Sequence, residues 1–126
     1  MEKGDIYKLK EEFCNLYKKD HYIHAFIYWE NYHGINGIML TTSGKVEYNN
    51  ILMNEEHFEP NFEFKYGKSE EFDKTYIAPL LLFKDVKYNH LKKVGELSDS
   101  GIKFIEDIIA DLKVITWSNY RKFQNE

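Results

Sequence analysis

His24-Ala25-Phe26-Ile27-Tyr28-Trp29, then Glu30-Asn31-Tyr32-His33-Gly34, then Gly37-Ile38-Met39-Leu40-Thr41-Thr42 closing on Ser43-Gly44, is the stretch whose reading decides the fold. The first piece is dense in aromatic and β-branched side chains, which lose rotamer freedom in a helix and pack well on a pleated sheet. The second consists of turn formers. The third is apolar again and ends in small polar residues. Together they predict an antiparallel hairpin.

Working outward, Lys3-Gly4-Asp5-Ile6-Tyr7-Lys8-Leu9 reads as a first strand, its two-residue period setting Tyr7 and Leu9 on one face and Ile6 and Lys8 on the other. Residues 11–20 carry Phe13, Leu16 and Tyr17 at helix-like spacing among charges, which fits one or two helical turns or a loop. Beyond the hairpin, Ile51-Leu52-Met53 and Phe62-Glu63-Phe64-Lys65-Tyr66 read as strands. The run Thr75 to Phe83 is the most apolar, but Pro79 cannot donate to a ladder and predicts a break in pairing.

One helix is expected, over 98–117. Ser98 stands at its N-cap and Asp99 near its positive end. Ile102, Ile105, Ile109 and Leu112 form an apolar stripe, widened by Phe104 and Ile108, opposite Lys103, Glu106, Asp107, Asp111 and Lys113. Residues 118–126 read as a polar tail. The expected fold class is α+β, mainly β: a small curved antiparallel body closed by a C-terminal amphipathic helix.

The 126 residues, 43% of them apolar, suffice for one core, so a single domain over 1–126 is expected. Cys14 is the single cysteine, which excludes an internal disulfide and favours a reducing compartment. No basic-then-apolar leader is visible, and apolar stretches such as Ile77 to Phe83 are too short to span a bilayer. A cytoplasmic protein without membrane attachment is therefore expected. A net charge of −4 argues against a broad, sequence-independent grip on nucleic acid, although a local basic patch is compatible with it.

The histidines at 21, 24, 33, 57 and 90 lack metal-site spacing, so surface or hydrogen-bonded histidines are expected and no metal or cofactor is assigned. Glycine-rich phosphate loops, nucleophile elbows and paired-carboxylate motifs are missing from the sequence, and Cys14 reads as a semi-buried structural thiol. The predicted hairpin supplies a polar group of its own. His24 begins one strand while Thr41, Thr42 and Ser43 end its partner, and an antiparallel pair sets those ends side by side. Histidine exchanges protons near neutral pH, and hydroxyls or strand-end amides hold phosphoryl oxygens, a combination suited to a phosphodiester. A strand-end histidine beside an ordinary Thr-Thr-Ser turn is the plainer alternative.

The order of these segments resembles the PemK/MazF family of toxin endoribonucleases. Lys3-Gly4-Asp5-Ile6-Tyr7 is similar to that family's opening Arg-Gly-Asp-Val-Tyr strand. His24-Ala25-Phe26-Ile27-Tyr28-Trp29-Glu30-Asn31 resembles its second-strand motif Arg-Pro-x-Leu-Val-Ile-x-Asn, and Gly37 to Thr42 its third strand, which ends in a catalytic threonine. Leu80 to Val86, followed by Lys93-Val94-Gly95-Glu96-Leu97-Ser98, is similar to the late strand, the Lys-x-Gly-x-Leu-Ser turn and the last helix.

The resemblance implies a small SH3-like barrel that dimerises, cleaves single-stranded RNA without metal and is neutralised by an antitoxin protein. It assigns catalysis to His24 and Thr42, and substrate contacts to Thr41, Ser43 and Lys45. His24 stands where the family has arginine and Ala25 where it has proline, and the chain's one arginine is Arg121. Histidine moves protons more readily than guanidinium but carries no fixed charge. The acidic stretch from Glu55 to Asp73 would repel RNA. The alternative is a barrel without catalysis that binds a protein partner; an unrelated α+β domain is the third possibility.

Overall fold

Alternation along the central hairpin produces two buried surfaces, one on each side of the sheet. The computed structural model describes residues 1–17, 24–31, 34–41, 49–60, 75–84, 86–109 and 114–115. Strands β2 (Phe26–Asn31) and β3 (Ile35–Thr41) pair antiparallel, with Ile27 opposite Ile38 and Phe26 opposite Met39. The ladder runs further toward the turn than expected, to Asn31 and Ile35, and absorbs an irregularity between Tyr28 and Glu30. Every residue of β3 is buried. That follows from its place: β2 lies on one edge, and β5 (Tyr76–Ile77) and β6 (Leu81–Lys84) share the other.

Strands β1 (Asp5–Leu9), β4 (Ile51–Leu52) and β7 (Leu91–Glu96) extend the sheet to the order β4-β5-β3-β2-β1-β7. The protein is thus an antiparallel, β-rich α+β fold with one helix among the described residues. Among them, no pairing joins β4 to β7. The apolar run near Pro79 does break: β5 ends at Ile77, β6 begins at Leu81, and the amide of Leu80 turns back onto the carbonyl of Ala78 at 2.8 Å. Residues 11–16 form a 3-10 turn.

An aliphatic and aromatic cluster fills one side of the sheet. Ile6, Ala25, Ile27, Trp29, Ile38, Leu40, Met53 and Ile77 gather there under Ile105 of helix α1 (Asp99–Ile109), with Ile102, Phe104 and Ile108 packed around them. Full burial of each large aliphatic chain contributes about 1.5–3 kcal/mol, which makes this side the main source of stability. Tyr7, Leu9, Phe26, Tyr28, Ile35 and Leu91 form the opposite side. The division of β1 is the one its two-residue period predicts.

Helix α1 starts as expected. The Gly101 amide donates to Ser98 Oγ at 3.2 Å, and that hydroxyl donates to the carbonyl of Glu56 at 2.6 Å, so one side chain caps the helix and ties it to the 3-10 turn Glu55–His57. Gly101 is needed there, since a Cβ would run into the His57 carbonyl. The end differs from the expectation of a helix through 117. The helix is described to Ile109, and Val114–Ile115, as β8, pair parallel to Leu81–Leu82 of β6. The ladder groups of β6 on that side need partners, and β8 supplies them. The expected strand at 62–66 and the tail at 118–126 lie outside the described residues, and none of the described helices is long and apolar enough to cross a membrane.

Candidate functional site

His24 lies two residues before β2 begins and is half-buried; Thr41 ends β3, is 6% exposed and pairs with Tyr76 of β5. The ladder between their strands reaches almost to them, because the Leu40 amide donates to the Ala25 carbonyl at 2.9 Å beyond the Phe26–Met39 pair. Extended by one step, that register would set His24 opposite Thr41. On the other edge of β2, Tyr7 pairs with Phe26, and that register carries Leu9 to His24. By alternation His24 and Thr41 belong to the face of Phe26 and Met39, away from the helix. His24 and Thr41 thus lie near the same end of the β2–β3 ladder. Thr42, Ser43 and Lys45 lie outside the described residues.

No protein-family model, curated protein or solved structure matches this chain. The site is accordingly read from its own residues.

The side-chain chemistry that the sequence hides lies on the same face. Lys84 ends β6 opposite Ile35, is 2% exposed, and is pulled by burial from the ordinary 10.5 down to about 7. Its Nζ stands 5.1 Å from the centre of the Phe26 ring, a contact that favours the charged form and opposes the effect of burial. Gly37 makes room for this arrangement: a Cβ there would run into the Phe26 ring. The hint in the sequence is parity, since Lys84 follows buried Leu82 by two residues and so points to the same side.

Further along that face, Lys93 bridges Asp5 at 3.3 Å and Glu96 at 3.1 Å. Burial works against its charge, but hydrogen bonds to Glu96 and Asp5 prevail and raise its pKa. The Tyr7 hydroxyl, 3.4 Å from Asp5, is pushed up to about 12, first by burial and then by the Asp5 charge. Tyr88, 59% exposed, meets Tyr7 edge-on. Tyr7 is thus a neutral donor at all ordinary pH rather than a proton-transfer group.

Two further histidines are structural. His57 is buried, stacks on Phe104 at 4.4 Å and accepts the Asn54 amide at Nδ1; burial lowers its pKa, with Glu56 acting in the opposite sense. His90 stacks on Phe13 at 4.0 Å and lies 2.8 Å from the Tyr17 hydroxyl, which joins the 3-10 turn after β1 to the segment before β7. Cys14 is half-buried, its thiol 3.5 Å from the Lys10 carbonyl. Among the described residues, no group of three or more His, Cys, Asp or Glu side chains is placed to hold a metal ion.

Proposed function

We propose that the chain is a metal-independent endoribonuclease for single-stranded RNA, built on a small SH3-like barrel and acting in the cytoplasm as a toxin-like homodimer restrained by an antitoxin protein. The observation that supports this reading is the β2–β3 register, which, extended one step past Ala25 and Leu40, would set His24 at the end of β3. In the proposed reaction a ribose 2′-hydroxyl attacks the adjacent phosphorus and the bond to the 5′-oxygen breaks. His24 takes the proton from the 2′-hydroxyl, and the leaving oxygen is protonated in turn. The Thr42 hydroxyl donates to a phosphoryl oxygen as charge builds there, and Thr41, Ser43 and Lys45 hold the strand.

The test is cleavage of single-stranded RNA in the presence of a chelator. Wild-type protein should cleave, and His24→Ala should slow the reaction about 100-fold or more, the size of a lost general acid or base. An unchanged rate in that variant would remove His24 from the mechanism. Comparing Thr41→Ala with Thr42→Ala asks which hydroxyl acts.

A second reading, a barrel without catalysis that binds a protein partner, is favoured by one observation: Thr41, the described hydroxyl nearest His24 in register, is 6% exposed. Absence of cleavage at substrate excess, together with capture of a defined protein, selects this reading.

A further inference from the structure

Three lysines gather where the β1–β7 margin meets the 3-10 turn at residues 11–16. Lys8 and Lys92 are direct cross-strand partners, a placement in which like charges repel. Both are exposed, and among the described residues neither forms an ion pair. With Lys10 they line a hollow of about 620 Å³ whose other walls include Leu9, Cys14 and Val94. Lys10 is oriented by donation from Nζ to the Asn89 carbonyl at 3.0 Å. Glu11 also borders the hollow, so three ammonium groups face one carboxylate there, in a chain whose net charge is −4; Glu12 lines a separate hollow with Lys10, Glu11 and Lys92.

Other lysines of the fold are engaged within it. Lys93 is held by Asp5 and Glu96, and Lys3 stands 4.7 Å from the centre of the Trp29 ring. Lys8 and Lys92 instead repel one another across the strands, a strain that an external anion relieves. Position matters as well. The hollow lies at the Leu9 end of β1, the end that the β1–β2 register carries toward His24, with Lys8 and Lys92 on the opposite face of the strand from Leu9 and His24, so a bound strand would reach both by passing around that end.

We propose that this hollow binds phosphodiester groups of single-stranded RNA flanking the His24 end of the sheet, the choice of RNA resting on the ribonuclease reading. Lys8 and Lys92 neutralise backbone phosphates, and Lys10 lends its charge from the wall. Such contacts position a strand without reading its bases.

The test is fluorescence anisotropy with a labelled single-stranded 2′-O-methyl oligonucleotide, which lacks the attacking hydroxyl, over a salt series, with thermal melts of each variant. Lys8→Ala/Lys92→Ala should weaken binding about tenfold and flatten the log–log salt dependence by about 1.4, two phosphate contacts at roughly 0.7 each. Its melting temperature should not fall, because a repulsion is removed, and Lys8→Arg/Lys92→Arg should keep the affinity. Lys103→Ala, at an exposed position on α1 outside the hollow, should bind as wild type. Equal affinity and salt slope in the alanine pair would overturn the proposal, as would failure of the wild-type protein to bind the oligonucleotide. Lysine-dependent binding without any cleavage of RNA upholds the hollow and dismisses the ribonuclease; cleavage with lysine-independent binding does the reverse.

Discussion

The two sides of the sheet use alternate residues of the same strands, yet they differ in chemistry. Under the helix, Ile6, Ile27, Ile38, Leu40 and Ile77 meet Ile105, with the buried His57 ring stacked on Phe104 at the border of the cluster. On the far side the same strands place Tyr7, Phe26 and Tyr28 beside Asp5, Lys93 and the buried amine of Lys84. A buried amine costs desolvation energy that its surroundings must offset, in part here through the Phe26 ring.

The strongest way to break the comparison is to open a void under the helix. Ile38→Ala, on a fully buried side chain, should cost about 2–5 kcal/mol in urea unfolding; a loss below 1 kcal/mol would mean that this side is not the main stabilising core. Crowding the far side is the counterpart experiment. Gly37→Ala forces the Phe26 ring to move and should cost about 1–3 kcal/mol, and it should shift the titration of Lys84 by disturbing the ring beside it.

The pH dependence of stability sharpens the contrast. Lys84 has a folded pKa of about 7 against an ordinary 10.5, so between those values the unfolded chain binds more protons. Stability should therefore rise with pH through that window, by about 1.4 kcal/mol per pH unit at most, and Lys84→Met should remove the rise. Tyr7, raised from 10.0 to about 12, acts in the other direction: its contribution is complete below pH 10 and disappears as pH climbs through 12. Urea unfolding from pH 7 to 11 reads both, and a flat profile in the wild-type protein would contradict the buried amine. Ser98→Ala is the smallest change. Loss of the cap to Gly101 and of the tie to Glu56 should cost about 1 kcal/mol, with no effect on the titration of Lys84.

What the sequence makes legible is what local rules govern. The period of two in Asp5–Leu9, the hairpin from Phe26 to Thr41, the stop at Pro79 and the Ser98 cap each depend on residues within a few positions of one another. The helix end was not legible, because Leu112 continues the apolar stripe while the partner that captures Val114 and Ile115 lies on β6, far away in the chain. Lys84 was hidden for a similar reason: a charged side chain after an apolar run reads as a strand end, and only the packing of β6 against β3 buries it. In the candidate site, the nearness of His24 to the end of the β2–β3 ladder is read from the hairpin alone. The lysine hollow does not, since it needs β7 brought alongside β1.

The parallel joint between β6 and β8 has a consequence for biosynthesis. Because β6 is made well before residue 115, it must wait on the ribosome with one flank of its ladder unsatisfied, while β7 and the helix are still emerging. That interval is when the chain is most liable to pair with a neighbouring copy of itself, and a chaperone that holds Leu81 and Leu82 apart from other nascent chains would raise the yield of native protein.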